Sequence, residues 1–187
     1  MKQALIIIDI QESFRHRPYW RANELPAFLS NVQSLIDAAR SREIPVVQVF
    51  HAERTDDPSD PFSPASGLVR PMPELSLRAD AVFFKHVHSA MFAETADGTH
   101  LEDWLRARGV EEVLVTGIRT EQCCETTTRH ASDLGFKVRY ITDATLTFPM
   151  QSRSGREFSP AEIRERTELV LDGRFARVVT TAEALGS

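Results

Sequence analysis

Positions 4–8 read ALIII, an uninterrupted apolar run that Asp9 closes. A strand with one wet face alternates apolar and polar side chains. This run does not alternate, so both its faces must be covered, as in the middle of a parallel sheet. Parallel neighbours cannot be joined by hairpins; each crossover takes a dozen or more residues, usually a helix. The rest of the sequence supplies that alternation. Residues 23–40 place Leu25, Phe28, Leu29, Val32, Leu35, Ile36 and Ala39 on one helical stripe. Strands are expected at 45–50, 79–84, 112–116, 138–142 and 176–179. Among them, Thr99 caps a helix bearing Leu101, Trp104 and Leu105 that Gly109 ends. A sharp turn over 117–120, with Thr120 as N-cap, leads into a helix that Gly135 stops. Ser159-Pro160-Ala161-Glu162 forms a capping box with Pro at the first helical position, opening a helix to Leu171. Thr181 caps a last turn through Leu185. The expected architecture is a single α/β domain over residues 1–187, with a doubly wound, mainly parallel six-stranded sheet and helices on both faces.

Such sheets bind ligands beyond the carboxyl ends of their strands, and the residues there carry chemistry. Asp9 closes the first strand, His51 the second and Lys85 the third. The fourth leads through Gly117 into a helix with Cys123 in its first turn. The first N–H groups of a helix have no intrahelical partner and sit at the positive end of its dipole, which biases a thiol there towards thiolate and can receive an oxyanion. The apolar stripe of this helix runs through Cys124, Thr128, Ala131 and Leu134, so Cys124 reads as core. Cys123, about 100° round the helix, lies on a face that packing alone does not explain. A Lys85 cation would favour its thiolate further, and Asp9 would move protons. Each residue also has a plainer reading: Asp9 as a turn carboxylate, Lys85 as a solvated strand end, the cysteines as small buried thiols.

Gln11, Phe14, Tyr19 and Trp20 follow the first strand and, with Phe148, are expected to wall a pocket and touch substrate. Residues 52–73, rich in proline, read as a long rim loop shaping access. No metal is expected. His51 lacks companion histidines, and His86 and His88 need a third ligand from elsewhere.

Composition excludes other classes. The net charge of -5 and the absence of a basic run interleaved with aromatics argue against nucleic acid or an anionic membrane surface as partner. No span of about 20 apolar residues and no signal-peptide pattern is present. Two adjacent cysteines make a poor structural staple and fit a reducing, cytoplasmic setting. Neither a G-x-S-x-G elbow nor a G-x-G-x-x-G fingerprint occurs, and no cofactor is called for. The expected partner is a small-molecule substrate.

With these residues placed, the sequence resembles the isochorismatase-like cysteine hydrolases. The likeness rests on IIIDIQESF around Asp9 and Gln11, FFKHVHSAMF around Lys85 and VTGIRTEQCCETTTRHASDLGF around Cys123. It extends more loosely through ITDAT and FARVVTTAEAL. It implies a Cys123-Asp9-Lys85 triad, a non-proline cis peptide between Ile118 and Arg119, an oxyanion hole made by the Arg119 and Cys123 backbone N–H groups, and a homodimer or homotetramer. Nicotinamidases of the family carry an Asp, His, His metal motif after the second strand; only His51 is visible here, which disfavours nicotinamide. Isochorismatases act on a vinyl ether without relying on the cysteine, so retention of Cys123 points to C–N cleavage in a small amide, carbamoyl or ureido compound. Arg119 either holds a substrate carboxylate or pairs with Glu121 or Glu125. Two other readings stay open, an isochorismate-type ether hydrolase and a non-catalytic thiol-redox or binding module.

Overall fold

The computed structural model describes residues 1–186. Its strands and helices in chain order are β1 (Gln3–Ile8), α1 (Leu25–Ser41), β2 (Val46–His51), β3 (Ala81–Lys85), α2 (Leu101–Ala107), β4 (Glu112–Ile118), α3 (Glu125–Asp133), β5 (Lys137–Leu146), β6 (Met150–Gln151), β7 (Glu157–Phe158), α4 (Pro160–Leu171), β8 (Arg177–Val179) and α5 (Thr181–Leu185). Six strands form one parallel sheet in the order β3-β2-β1-β4-β5-β8. Because the chain winds outward from β1 to β3 and then returns to lay β4 on β1's other side, the winding reverses between β1 and β4. A crevice opens there at the strands' carboxyl ends.

The apolar run of β1 sits at the centre, as its lack of alternation requires. Leu5 and Ile7 pack into a core cluster with α1, and Ala4, Ile6 and Ile8 into a second with α2 and α3. Ile6, Ile7 and Ile8 are fully buried, each worth about 1.5–3 kcal/mol of transfer free energy. Gly117 lets β4 press against β1. Its φ is 135°, and a Cβ there would lie 2.0 Å from the Ile8 carbonyl oxygen, so no other residue fits without parting the strands.

Several boundaries differ from the sequence expectation. β4 continues through Ile118, and β5 runs past Asp143 to Leu146. The register between them shifts from Val115↔Tyr140 to Gly117↔Thr145, so β5 bulges before pairing resumes. The bulge is tied down: Asp143 Oδ1 accepts the Thr181 N–H at 2.7 Å and hydroxyl at 2.8 Å, and its carbonyl accepts the Asn31 side-chain amide at 2.8 Å. With its hydroxyl spent there, Thr181 is not the cap of α5. Thr180 is, in a reciprocal capping box with Glu183. Likewise His100, not Thr99, occupies the N-cap of α2, because the Thr99 backbone is held by Thr95. The capping box at Ser159 stands as expected. The antiparallel pair β6 and β7 had no counterpart in the sequence reading. Among the described residues, no helix is long and apolar enough to cross a membrane.

Candidate active site

Asp9 leaves β1 at the crevice with φ 54°, a left-handed conformation uncommon outside glycine, and its N–H donates to the Val49 carbonyl at 2.9 Å. Its carboxylate is fully buried. Lys85 ends β3 opposite His51 in the β2–β3 register. β3 lies two strands from β1, about 9.6 Å at the usual spacing, a distance suited to a long side chain. Lys85 makes the crossing: its Nζ lies 2.7 Å from Asp9 Oδ2, 3.4 Å from Cys123 Sγ and 3.3 Å from His51 Nδ1. It is as buried as its partner, not a solvated strand end.

Cys123 rides on a single π-helical turn, Thr120–Cys124, placed between β4 and α3. The Ile118–Arg119 peptide bond is cis, where the family resemblance put one. Arg119 occupies the N-cap, not Thr120, and its carbonyl accepts the Gln122 and Cys124 N–H groups at 3.2 and 3.1 Å. Thr120 turns inward to the β5 bulge. Its hydroxyl pairs with that of Thr145 at 2.8 Å, and its carbonyl accepts the Tyr140 hydroxyl at 3.1 Å. The turn that carries Cys123 is thereby fastened to the sheet. Cys124 is wholly buried, as expected of core.

The electrostatics correct one expectation. The Cys123 thiol is not biased towards thiolate: burial, followed by the Asp9 charge, pushes its pKa up to about 12 against the opposing pull of Lys85. Burial works against the Lys85 ammonium too, but the Asp9 carboxylate outweighs it and holds its pKa above the ordinary lysine value. The resting site therefore holds an ammonium beside a neutral thiol.

Outside this constellation a cavity of about 200 Å³ reaches Asp9 and Cys123, with Phe14, Tyr19, Phe62 and Arg17 on its walls. Of the side chains expected to touch substrate, Phe14 and Tyr19 line it. Gln11 stands behind: its amide donates to Ser13 Oγ and the His51 carbonyl at 2.9 and 3.0 Å and accepts the His51 N–H at 2.9 Å. Trp20 and Phe148 also form a backing layer, with Phe148 5.4 Å from the Tyr19 ring and 5.2 Å from that of Trp20. Arg119 adopts the ion-pair alternative, bonding Glu121 at 2.9 Å with its guanidinium 4.8 Å from the Tyr19 ring. Sequence reasoning missed Arg17, whose guanidinium lies 4.5 Å over Phe62 with Asp60 at 3.7 Å. It also gave His51 only a possible metal role. Both ring nitrogens of His51 are engaged, by Lys85 and by Glu53. Among the described residues, no three His, Cys, Asp or Glu side chains are grouped to hold a metal.

The doubly wound parallel sheet, with a thiol, a carboxylate and an ammonium meeting at its winding-reversal crevice, places the protein among α/β proteins with a polar site at that crevice, and its relatives give the family. The sequence profile described as "Isochorismatase domain" matches residues 3–183, and the chain belongs to the isochorismatase family of hydrolases. It is 29% identical to the uncharacterized isochorismatase family protein YrdC of Bacillus subtilis, over 98% of this chain and 95% of that one. It is 31% identical to the nicotinamidase/pyrazinamidase of Mycobacterium tuberculosis, over 76% of this chain and 86% of that one. A solved isochorismatase-family structure from Chromobacterium violaceum superposes with a TM-score of 0.86 at 30% identity, covering 99% of this chain and 92% of that one.

Proposed function

We propose that the protein hydrolyses the C–N bond of a small amide, carbamoyl or ureido compound through a thioester on Cys123. The observation that carries this reading is Lys85 Nζ set between Asp9 Oδ2 at 2.7 Å and Cys123 Sγ at 3.4 Å, all three buried. A resting thiol at about 12 cannot attack as a standing thiolate. The proton must leave as the C–S bond forms. Asp9 takes it, and Lys85 stabilises the charge passing to sulfur and then to the carbonyl oxygen. The Arg119 and Cys123 backbone N–H groups receive that oxyanion. Collapse of the tetrahedral intermediate breaks the C–N bond, and Asp9 returns its proton to the departing amine. Asp9 then deprotonates a water that attacks the thioester, and Cys123 recovers its proton as the acid product leaves.

Phe14 and Tyr19 bound the substrate, while Gln11, Trp20 and Phe148 hold the walls from behind. Arg119, already paired, is a scaffold cation. Arg17 is the cation on the cavity wall, with Asp60 3.7 Å from it and the Glu53 carboxylate on the same lining, and it would engage an anionic end of the substrate. The relative named nicotinamidase/pyrazinamidase supports amide chemistry.

The test is ammonia release from a panel of small amides, carbamoyl acids and ureido acids by wild type and Cys123→Ala, with intact-mass spectrometry. Release that requires Cys123, with an acyl adduct on it, is expected. Equal ammonia release by the Cys123→Ala protein would overturn the nucleophile assignment.

A further inference from the structure

A buried ammonium has three hydrogens and no water to turn to, so each needs an acceptor inside the protein. Cys123 Sγ accepts one at 3.4 Å, and the Asp9 carboxylate, in ion-pair contact at 2.7 Å, faces another. The third partner is His51 Nδ1 at 3.3 Å, a residue outside the thiol, carboxylate and ammonium set. For Nδ1 to accept, the imidazole proton must sit on Nε2, because a neutral ring carries one donor and one acceptor. Glu53 supplies the acceptor that this tautomer requires, with its Oε1 3.1 Å from Nε2. The Phe62 ring, 5.7 Å away at 72°, bounds the imidazole edge-on. The His51 backbone is fixed independently, clamped on both its N–H and its carbonyl by the Gln11 amide.

We propose that His51, its tautomer set by Glu53, is the positioning residue for Lys85. By holding the third hydrogen it keeps Nζ aimed between Asp9 and Cys123 while the other two partners exchange a proton. During that exchange Asp9 becomes neutral and sulfur becomes negative, so both remaining contacts change strength, and only the His51 contact stays constant. The inference rests on the Cys123 hydrolase reading for its catalytic consequence, though the hydrogen-bond arrangement itself does not depend on it.

The experiment compares wild type, His51→Leu and His51→Asn in the full chain. Two readouts are used: kcat and KM on the best substrate from the panel, and the rate at which iodoacetamide alkylates Cys123, followed by intact mass. Leucine removes the acceptor. Asparagine keeps a carboxamide oxygen near the place of Nδ1 and, like leucine, leaves the Gln11 clamp intact. Loss of one hydrogen bond to a charged group predicts a fall in kcat of about 10- to 100-fold in His51→Leu, with KM within about threefold. The same order of loss is expected in alkylation rate. His51→Asn is expected to recover both to within about fivefold of wild type. If the two variants behave alike, or if His51→Leu matches or exceeds wild type in both readouts, the positioning role is wrong. If wild type turns over nothing in the panel while alkylation still ranks His51→Asn above His51→Leu, the hydrolase reading fails and the positioning of Lys85 stands. Turnover by wild type without that ranking has the opposite meaning.

Discussion

Two buried ion pairs flank the turn that carries Cys123. On one side Lys85 meets Asp9 at 2.7 Å, with neither side chain exposed; on the other Arg119 meets Glu121 at 2.9 Å, with 9% and 11% exposure. The distances hardly differ, but the surroundings do. Lys85 also touches an imidazole and a thiol, the latter a group able to lose a proton. Arg119 lies against the rings of Tyr19 and Phe148, and Glu121 Oε2 takes the Thr147 hydroxyl at 2.6 Å. The Tyr19 phenol is moved further from ionising near neutrality, because burial raises its pKa against the pull of Arg119 and Arg17. A buried pair becomes reactive when a third group in contact with it can change charge. Where no such group exists, the same pair only holds walls apart.

Substitutions should separate the two sides. Asp9→Asn removes the proton acceptor and is expected to lower kcat by about 10³-fold, read as steady-state ammonia release. A loss under tenfold would place proton transfer elsewhere. On the other side, Arg119→Met strands the Glu121 carboxylate and is expected to cost about 3 kcal/mol in urea unfolding, with kcat/KM on an anionic substrate within about fivefold of wild type. A selective rise in KM for acids would return Arg119 to the substrate. The raised thiol pKa makes a third test. With the group protonated through neutrality, the thiolate fraction and hence the alkylation rate of Cys123 should climb about tenfold per unit between about pH 7 and 9, without a plateau. A plateau in that range would show that Lys85 outweighs burial and Asp9. The smallest effect is expected from Cys124→Ala, about 1 kcal/mol of stability and unchanged kcat, since that thiol is packed away from the cavity.

The sequence carried the frame of this molecule well, because local signals decide it. The unbroken apolar run of β1 required a central parallel strand, and Asp9 just past β1, Lys85 at the end of β3 and Cys123 on the turn that follows β4 all come to the carboxyl edge of the sheet. What was illegible depends on distant partners. Thr120 reads as a cap until Thr145 arrives from the β5 bulge to take its hydroxyl. Asp143 reads as the end of a strand because the helix start it holds, at Thr181, lies 38 residues away. Trp20 and Phe148 looked like walls, but Phe148 packs on Tyr19 and Trp20 on Phe148, away from the cavity, and nothing in their local sequence encodes that direction. The thiol was misjudged for the same reason: the helix start and the lysine are visible in the sequence, whereas the cost of burying a second charge beside Asp9 is not.

The contact at Gly117 bears on how such a protein can change over time. Asp9 and Cys123 follow two strands whose backbones meet without a side chain between them, while the cavity walls come largely from segments outside the sheet. Mutations that remodel the walls therefore leave the spacing of the reacting groups alone. A lineage built this way can trade one substrate for another through its rim, with the chemical engine inherited unaltered.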